Sequence, residues 1–466
     1  MVAAAETAGK VATFAMTVMA ARQLGAAGFG GFAFALSFSM LLATLPHWGL
    51  SARLVKEGSE DRRRLPTLLT ETVILRALLG APVVAIGLAV AVLTRPDASS
   101  AAALVLVLVA TLMDELFMDT GRTVADARQE QGWASRALIL ERTAQAILGI
   151  AALVAGFGLV GLSVGYLAGT AVGALAITRS LRRTGVTVRP GLVHRRSLLR
   201  SLRGTTAFAI NAIVAMALFR VDQVMLSALK GDEALGPYAA AYRLIEMVMF
   251  ISWAAARAVF PAMSASAEAW RVRHGVEQAI AGVAVLYMPF AVGLALEAEP
   301  VVRTLFGAGF VDQGVPAARW LAATPMLFAI GFLAIYAAVA RGLRWAIVTP
   351  TAAGLAVNVA TNLLLIPPLG GTGAAIATVV SYAVQAGVAV RLAAHAAGWP
   401  RLHRALAIPA AAALLMGTSL VLLRLALLPE VVLGAAVYGV AWLLLARRFA
   451  PEQLGMLRSV LGGGTR

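Results

Sequence analysis

The chain has no cysteine and very little charge for its length. The absence of cysteine excludes disulfide bonds, thiol catalysis and cysteine-ligated metals. Charged residues make up 13% of the 466 residues, about half the roughly 25% usual in soluble domains, whereas 60% are hydrophobic. A soluble protein of this length must cover its surface with polar and charged groups. The composition therefore excludes soluble enzymes, secreted domains and disordered proteins, and it predicts a multi-span membrane protein.

Motifs for cofactors and catalysis are also missing from the sequence. The five histidines stand singly at positions 47, 194, 274, 395 and 403, which is not a metal-binding spacing. No P-loop, catalytic triad or dinucleotide-binding fingerprint stands out. No cleavable signal peptide is visible, so we expect the first apolar stretch to be a retained helix. We expect no cofactor, no metal and no enzymatic activity, and therefore an ion, voltage or substrate gradient as the energy source.

Long apolar stretches follow one another along the chain. A membrane-spanning helix needs about 20 mostly apolar residues. Fourteen stretches meet this requirement, at residues 4–22, 30–50, 67–94, 101–119, 135–156, 158–178, 205–229, 237–260, 275–297, 317–340, 345–367, 372–394, 403–427 and 430–447. The sequence therefore predicts an all-α polytopic membrane protein with about 14 transmembrane helices.

The net charge of +16 is distributed according to this topology. With the N-terminus in the cytoplasm, 28 of the 39 lysines and arginines fall in cytoplasmic segments and six fall outside. This is the positive-inside pattern, and it fits an even number of helices, fourteen better than twelve. The pattern predicts that both termini are cytoplasmic and explains the basic composition without nucleic acid.

An internal repeat divides the predicted helices into two sets of six. Gly30 to Ala35 at the start of helix 2 resembles Gly236 to Ala241 at the start of helix 8, at an offset of 206 residues. The starts of helices 6 and 12 match at an offset of 212, around Gly161 and Gly373. Six is an even number, so the copies enter the membrane in the same orientation, as parallel repeats with a cleft between them.

We therefore predict two pseudo-symmetric six-helix lobes plus two C-terminal helices. The predicted boundaries are an N-terminal lobe at 1–178, an Arg-rich cytoplasmic linker at 179–204, a C-terminal lobe at 205–394, and helices 13 and 14 with a cytoplasmic tail at 395–466.

Short motifs across the chain resemble one transporter family. They are residues 21–25 (ARQLG) with the segment at Gly30, residues 220–226 (RVDQVML), 236–243 (GPYAAAYR), 305–307 (LFG) and 362–378, which contains IPPLG and GAAIAT. Their order and spacing resemble the polysaccharide (O-antigen-type) flippases of the multidrug/oligosaccharidyl-lipid/polysaccharide exporter superfamily.

This resemblance implies a fourteen-helix flippase of a bacterial inner membrane. It would move an undecaprenyl-pyrophosphate-linked oligosaccharide across the membrane by alternating access, for O-antigen, capsule or exopolysaccharide synthesis. The expected partners are this lipid-linked substrate, membrane lipids, a polysaccharide polymerase and a chain-length regulator, with no nucleic acid. In the family, helices 1, 2, 7 and 8 line the cavity, which points to Arg22, Arg53 and Arg257 as substrate contacts.

A few ionisable residues fall inside the predicted spans, where each costs roughly 2.5–3.5 kcal/mol unless it meets a partner or water. Arg220 and Asp222 on helix 7, and Arg243 and Glu246 on helix 8, lie in the outer half of the membrane. They form either two crossed ion pairs or, through the arginines, a diphosphate site, because the planar guanidinium binds phosphate oxygens bidentately. We expect Arg76 and Asp114 to form a buried pair, or Asp114 to bind the coupling ion.

Three other functions compete with the leading one. A lipid II flippase for peptidoglycan has a similar fold and substrate chemistry. A multidrug or cation antiporter of the same superfamily would favour acids in its cavity, whereas the acids here are matched by arginines. A membrane-embedded glycosyltransferase or polymerase usually has a large outer loop, and the longest outer loop here is the 298–316 region.

Overall fold

The computed structural model describes residues 2–95, 97–266, 268–423, 426–449 and 451, and the side chains of residues 2–8 and 10 are outside the description. Of the basic residues counted for topology, Arg424, Arg458, Arg466 and the side chain of Lys10 therefore lie outside it. The described residues form helices without a β-strand, so the all-α prediction is confirmed.

The helices in chain order are α1 (Val2–His47), α2 (Leu50–Glu60), α3 (Leu65–Thr94), α4 (Ala98–Met113), α5 (Thr120–Arg128), α6 (Gln131–Val154), α7 (Gly158–Arg183), α8 (Arg195–Lys230), α9 (Asp232–Ala265), α10 (Ala269–Leu296), α11 (Ala298–Phe306), α12 (Val311–Leu321), α13 (Thr324–Ala340), α14 (Thr349–Ala397), α15 (Leu402–Leu423) and α16 (Leu427–Phe449). A π-helical turn (Asp114–Asp119) joins α4 to α5.

Twelve continuous helical segments of the described residues are long and apolar enough to cross a membrane. Two of them, Val11–His47 with 37 residues and Arg344–Ala397 with 54, are not single uninterrupted helices. Each is broken by a glycine with positive φ, Gly25 (φ 67°) and Gly370 (φ 56°), a conformation that other residues adopt at a cost. Dividing both segments gives the fourteen helices predicted from the sequence.

The chain forms two compact units, Met1–Gly236 (unit 1) and Pro237–Arg466 (unit 2). In unit 1, α6 and α7 pack very closely. A Cβ atom on Gly169 would lie 2.3 Å from the backbone nitrogen of Gln145, and one on Gly173 would lie 2.6 Å from the Cβ of Glu141. Small residues spaced by four let helix backbones approach in a membrane, and here they bring polar side chains of α6 against α7.

In unit 2, α10, α13 and α14 share one hydrophobic core that includes Val276, Tyr287 and Leu333. The last two helices, α15 and α16, pack beside α10 in a second cluster around Met416 and Trp442. The predicted C-terminal pair is therefore a helical hairpin attached to α10.

Two glycines of the predicted repeat, Gly30 and Gly236, lie where two parts of unit 1 pack closely. A Cβ atom on Gly30 would lie 1.8 Å from the carbonyl oxygen of Asp232, and one on Gly236 would lie 2.1 Å from the carbonyl oxygen of Ala26. Residues 26 and 30 differ from 232 and 236 by the repeat offset of 206. The two contacts are therefore reciprocal with respect to the repeat offset.

Candidate functional site

Arg76 is the centre of a buried charge network in unit 1. Its side chain on α3 is almost fully buried, with a residue exposure of 2%. One guanidinium nitrogen, Nη2, lies 2.6 Å from the carboxylate of Asp119 and 2.9 Å from that of Glu115, and it donates to the hydroxyl of Ser51 at 2.7 Å. The other, Nη1, donates to the hydroxyl of Thr120 at 2.6 Å. Two carboxylates and two hydroxyls thus satisfy a positive charge that would otherwise be costly in a membrane-spanning segment.

His47, the last residue of α1, joins the same network. Its Nδ1 lies 2.8 Å from Glu115 Oε1 and 3.9 Å from Asp119 Oδ2. His47, Glu115 and Asp119 bring three ligand atoms close enough together for a metal ion. The carboxylate oxygens, however, already accept hydrogen bonds from Arg76, so a cation would have to displace the guanidinium. The donor set therefore fits an ion-pair network better than a metal centre.

The π-helical turn determines which acids meet Arg76. Glu115 and Asp119 face Arg76, whereas Asp114 lies on another side of the helix, 3.8 Å from Arg142 of α6. The predicted pairing of Arg76 with Asp114 is therefore wrong. Adjacent helical residues point about 100° apart, and the extra residue of a π turn shifts the register of everything that follows. Sequence spacing alone could not fix this register.

The fully buried Glu141 lies on α6, next to Arg142. Its Oε1 accepts a hydrogen bond from Gln145 at 3.2 Å, and Gln145 also donates to Thr170 of α7 at 2.9 Å. Gly173 leaves the space that the Glu141 side chain occupies. The π turn thus places neighbouring acids toward two separate polar clusters, one at Arg76 and one at Arg142.

Arg53 lies on α2, outside the membrane-spanning segments. Its guanidinium contacts Glu57 at 2.7 Å and Glu71 of α3 at 2.6 Å, and it donates to the hydroxyl of Ser201 on α8. Burial acts to lower the pKa of Arg53, but the hydrogen bonds to Glu71 and Glu57 raise it above its ordinary value. Arg53 therefore joins α2, α3 and α8 and stays charged.

Arg220 and Asp222 are both buried on α8, with exposures of 5% and 1%. The Asp222 carboxylate accepts the backbone N–H of Gln223 at 2.7 Å, and the side-chain oxygen of Gln223 accepts the hydroxyl of Ser37 at 2.7 Å. The guanidinium of Arg220 lies 4.9 Å from the ring of Phe219. These residues form a polar group near the contact between α8 and α1.

The remaining arginines predicted to contact substrate differ in whether a carboxylate neutralises their charge. Arg243 on α9 pairs with Glu246, one turn later, at 2.6 Å. Arg22 is exposed on α1, three residues before the Gly25 break. Arg257 is exposed on α9, and no hydrogen bond or ion pair joins it to any residue that the structure describes. Arg257 is therefore a charge within a membrane-spanning helix that lacks a counterion in the described chain.

Sequence reasoning missed His47, Asp119 and Glu71 as site residues. Glu115 and Asp119 are four residues apart, a spacing that predicts a shared helix face and could have indicated Asp119. Nothing in the sequence indicates that the end of α1 brings His47 to that face. Two buried asparagines of α14 are also hydrogen-bonded: Asn358 donates to Ser381, beyond the Gly370 break, at 3.0 Å, and Asn362 donates to Asn358, one turn earlier in the same helix, at 2.8 Å.

Twelve helical segments long and apolar enough to cross a membrane, two of them broken by a glycine, define a polytopic membrane protein with charged groups buried among its described helices. Two family models match the chain: "Polysaccharide biosynthesis protein" over residues 1–267 and "Lipid II flippase MurJ" over residues 143–447. No curated protein matches it significantly in sequence. The chain therefore belongs to the polysaccharide biosynthesis protein family and to the MurJ family, each matched over more than half of its length, which confirms the family resemblance seen in the sequence.

Solved structures agree with this assignment at the level of the fold. Lipid II flippase MurJ in an inward closed conformation superimposes with a TM-score of 0.80 at 12% identity, covering 96% of this chain and 99% of that one. An inward-facing multidrug resistance MATE family transporter has a TM-score of 0.67 at 17% identity, covering 84% and 94%. A MOP superfamily transporter from Pyrococcus furiosus, described as having a binding pocket of reverse polarity, has a TM-score of 0.59 at 17% identity, covering 84% and 96%.

Proposed function

We propose that the protein translocates an undecaprenyl-pyrophosphate-linked oligosaccharide across a bacterial inner membrane by alternating access, for polysaccharide synthesis. Both termini would lie in the cytoplasm, as the distribution of basic residues predicts. The family assignment supports a lipid-linked substrate, and the polysaccharide biosynthesis model over residues 1–267 favours a polysaccharide precursor. A polysaccharide polymerase and a chain-length regulator are the protein partners that this pathway would require.

The environment of Arg257 is the observation that supports an anionic substrate. An exposed guanidinium on a membrane-spanning helix, without a counterion among the described residues, is stabilised when an anion binds it. A diphosphate offers oxygens that match the guanidinium fork. The charge of Arg76 is already neutralised by two carboxylates, so Arg76 is not proposed as a diphosphate contact.

Arg22, Arg53, Arg220 and Arg243 remain proposed substrate contacts. Arg22 is exposed on α1. Arg53 and Arg243 would exchange their carboxylate partners for phosphate oxygens when the substrate binds. Asp114, Asp222 and Glu246 remain proposed acids for ion pairing or coupling. Asp114 suits coupling best, because its guanidinium partner lies 3.8 Å away, beyond a hydrogen bond.

The test is flipping of a fluorescent lipid-linked oligosaccharide by the purified protein in liposomes. We expect Arg257→Gln to slow flipping at least about tenfold, since a hydrogen bond to a charged group contributes about 1.5–3 kcal/mol. Arg257→Lys should retain part of the rate. The matched control is Arg303→Gln, because Arg303 is exposed and paired with Glu299 on α11. Wild-type flipping by Arg257→Gln would contradict the anion-binding role.

A lipid II flippase is the second candidate. It is favoured by the MurJ family model over residues 143–447 and by the MurJ-like fold over nearly the whole chain. The same liposomes should be loaded with lipid II and with the lipid-linked oligosaccharide in separate experiments. Faster flipping of lipid II would replace the proposed pathway with peptidoglycan synthesis, whereas transport of a cationic drug against protons would indicate the antiporter alternative.

A further inference from the structure

A basic cavity of about 430 Å³ opens where α5 ends and α6 and α7 lie side by side. Its volume is within the range of small-ligand sites. Three arginines line it, one from each helix: Arg128, Arg136 and Arg183. The substrate-contact residues proposed above do not line this cavity.

The lining follows from helical periodicity. On α6 the cavity is lined by Trp133, Arg136, Ala137 and Leu140, which are spaced three and four residues apart and so form one face. On α7 it is lined by Ala176, Ser180 and Arg183, again one face, and Thr184 follows directly at the end of the helix. The indole of Trp133 and Ala176 pack on the hydrophobic cluster around Ala134 and Ile177. The walls are therefore held by rigid helices and a packed apolar base.

The charge in the cavity is not balanced by the protein. Both Arg128 nitrogens that face Glu130 donate to its carboxylate, at 2.9 and 3.0 Å, so this pair is neutral. Arg136 and Arg183 are exposed and make no hydrogen bond or ion pair with residues that the structure describes. Three arginines against one glutamate leave a net charge of +2.

Helix electrostatics account for only one of these two arginines. Arg183 lies in the last turn of α7, where the helix dipole favours a cation. Arg136 lies in the second turn of α6, toward the end where the dipole favours anions. The N-cap residue of α6, Glu130, makes no side-chain capping hydrogen bond to the first turn of this helix.

The hydroxyl of Ser180 and the exposed side chain of Leu140 complete the cavity. Ser180 differs from other helical hydroxyls of unit 1, such as Ser163 and Thr170, which donate to the carbonyl four residues earlier. No hydrogen bond of Ser180 to the described residues is found. Leu140 is 48% exposed at the edge, as expected for a side chain that meets lipid.

We propose that this cavity binds the phosphodiester headgroup of an anionic membrane phospholipid. Arg136 and Arg183 would bind the phosphate oxygens, Ser180 would donate to them, and Leu140 would contact the start of an acyl chain. The predicted topology places the ends of α5 and α7 at the cytoplasmic leaflet, where anionic lipids attract basic segments. The net charge of +2 favours a headgroup with two phosphates over one with a single phosphate.

The test is native mass spectrometry of the full-length purified protein titrated with defined lipids. Diphosphatidylglycerol should bind more tightly than phosphatidylglycerol, and phosphatidylethanolamine should bind least. The Arg136→Gln/Arg183→Gln variant should weaken diphosphatidylglycerol binding by about 25-fold, taking about fivefold for each arginine. The matched control, Arg179→Gln/Arg182→Gln, removes the same charge from exposed positions of α7 that do not line the cavity. It should bind lipid like the wild type.

Ser180→Ala provides a second test that leaves charge and helix packing intact, and it decides the question if the double variant does not fold. It should weaken lipid binding by about threefold or more. Equal losses in the double variant and its control would overturn the proposal, because binding would then follow overall charge. Displacement of the lipid by glycerol 3-phosphate at similar concentrations would overturn it in favour of a free phosphate ester. Selective displacement by undecaprenyl diphosphate would instead identify a substrate subsite.

Discussion

The two units stabilise polar groups inside the membrane in different ways. Unit 1 uses full charges: Arg76 is held by Glu115 and Asp119, and both acids also lie near His47. In unit 2 the network around Asn358 and Tyr287 uses neutral groups, with Asn358 bonded to Ser381 and the Tyr287 hydroxyl bonded to Ser252, whereas its ion pair of Arg243 with Glu246 is only half-buried. An ion pair in a low-dielectric interior holds its geometry strongly but is costly when one partner is lost. We infer that unit 1 tolerates less change in its polar interior than unit 2.

The largest expected effect is from Arg76→Met. It leaves two carboxylates in a membrane-spanning region without their cation, which should destabilise the protein by about 3–5 kcal/mol. Thermal unfolding of the purified protein in detergent measures this. The control variant also carries Glu115→Gln and Asp119→Asn and so removes all three charges, which leaves a neutral network like that around Asn358 in unit 2. If the triple variant is as unstable as Arg76→Met, uncompensated charge is not the cause.

A smaller effect is expected from Asn358→Ala in unit 2. This change removes hydrogen bonds to Ser381 and Asn362 and should cost about 0.6–1.7 kcal/mol. The matched control is Asn211→Ala on α8, since no hydrogen bond of the Asn211 side chain to the described residues is found. A loss as large as that of Arg76→Met would remove the distinction between the two units.

The smallest effect concerns pH. Glu297, at the end of α10, has its pKa raised above the ordinary 4.5 by burial and by the neighbouring Glu430. A raised folded-state pKa gives stability that is present below the unfolded value and is lost as pH rises through the folded value. Glu297→Gln should therefore flatten the decline of the melting temperature that the wild type shows as pH rises above about 4.5.

Asp97 in unit 1 supplies the control for this pH effect. Its hydrogen bonds from Ser99 and Ser100 lower its pKa to about 2, so its contribution is lost only as pH falls toward that value. Asp97→Asn should leave the slope of the melting temperature unchanged above about pH 4.5. A flattened slope in Asp97→Asn, or an unchanged slope in Glu297→Gln, would contradict the assignment of this pH dependence to unit 2.

The fold was largely predictable because a membrane imposes strong rules on sequence. A helix that crosses the apolar core must be about 20 apolar residues long, and the breaks at Gly25 and Gly370 fall between predicted spans. The site was less predictable. The sequence shows that Arg76, Asp114 and Glu115 lie at similar positions along their helices, but the π-helical turn decides that Glu115 and Asp119 meet Arg76 and that Asp114 turns toward Arg142.

The sequence by itself determined the class of protein, the number of helices and the membrane-embedded charges. These follow from hydropathy and charge, which act on each segment independently of its neighbours. The tertiary structure decided which charges neutralise each other, that Arg257 has no counterion in the described chain, and that three arginines from three helices line one cavity. Pairing depends on rotation about each helix axis and on depth differences of a few ångströms, which packing sets and composition does not.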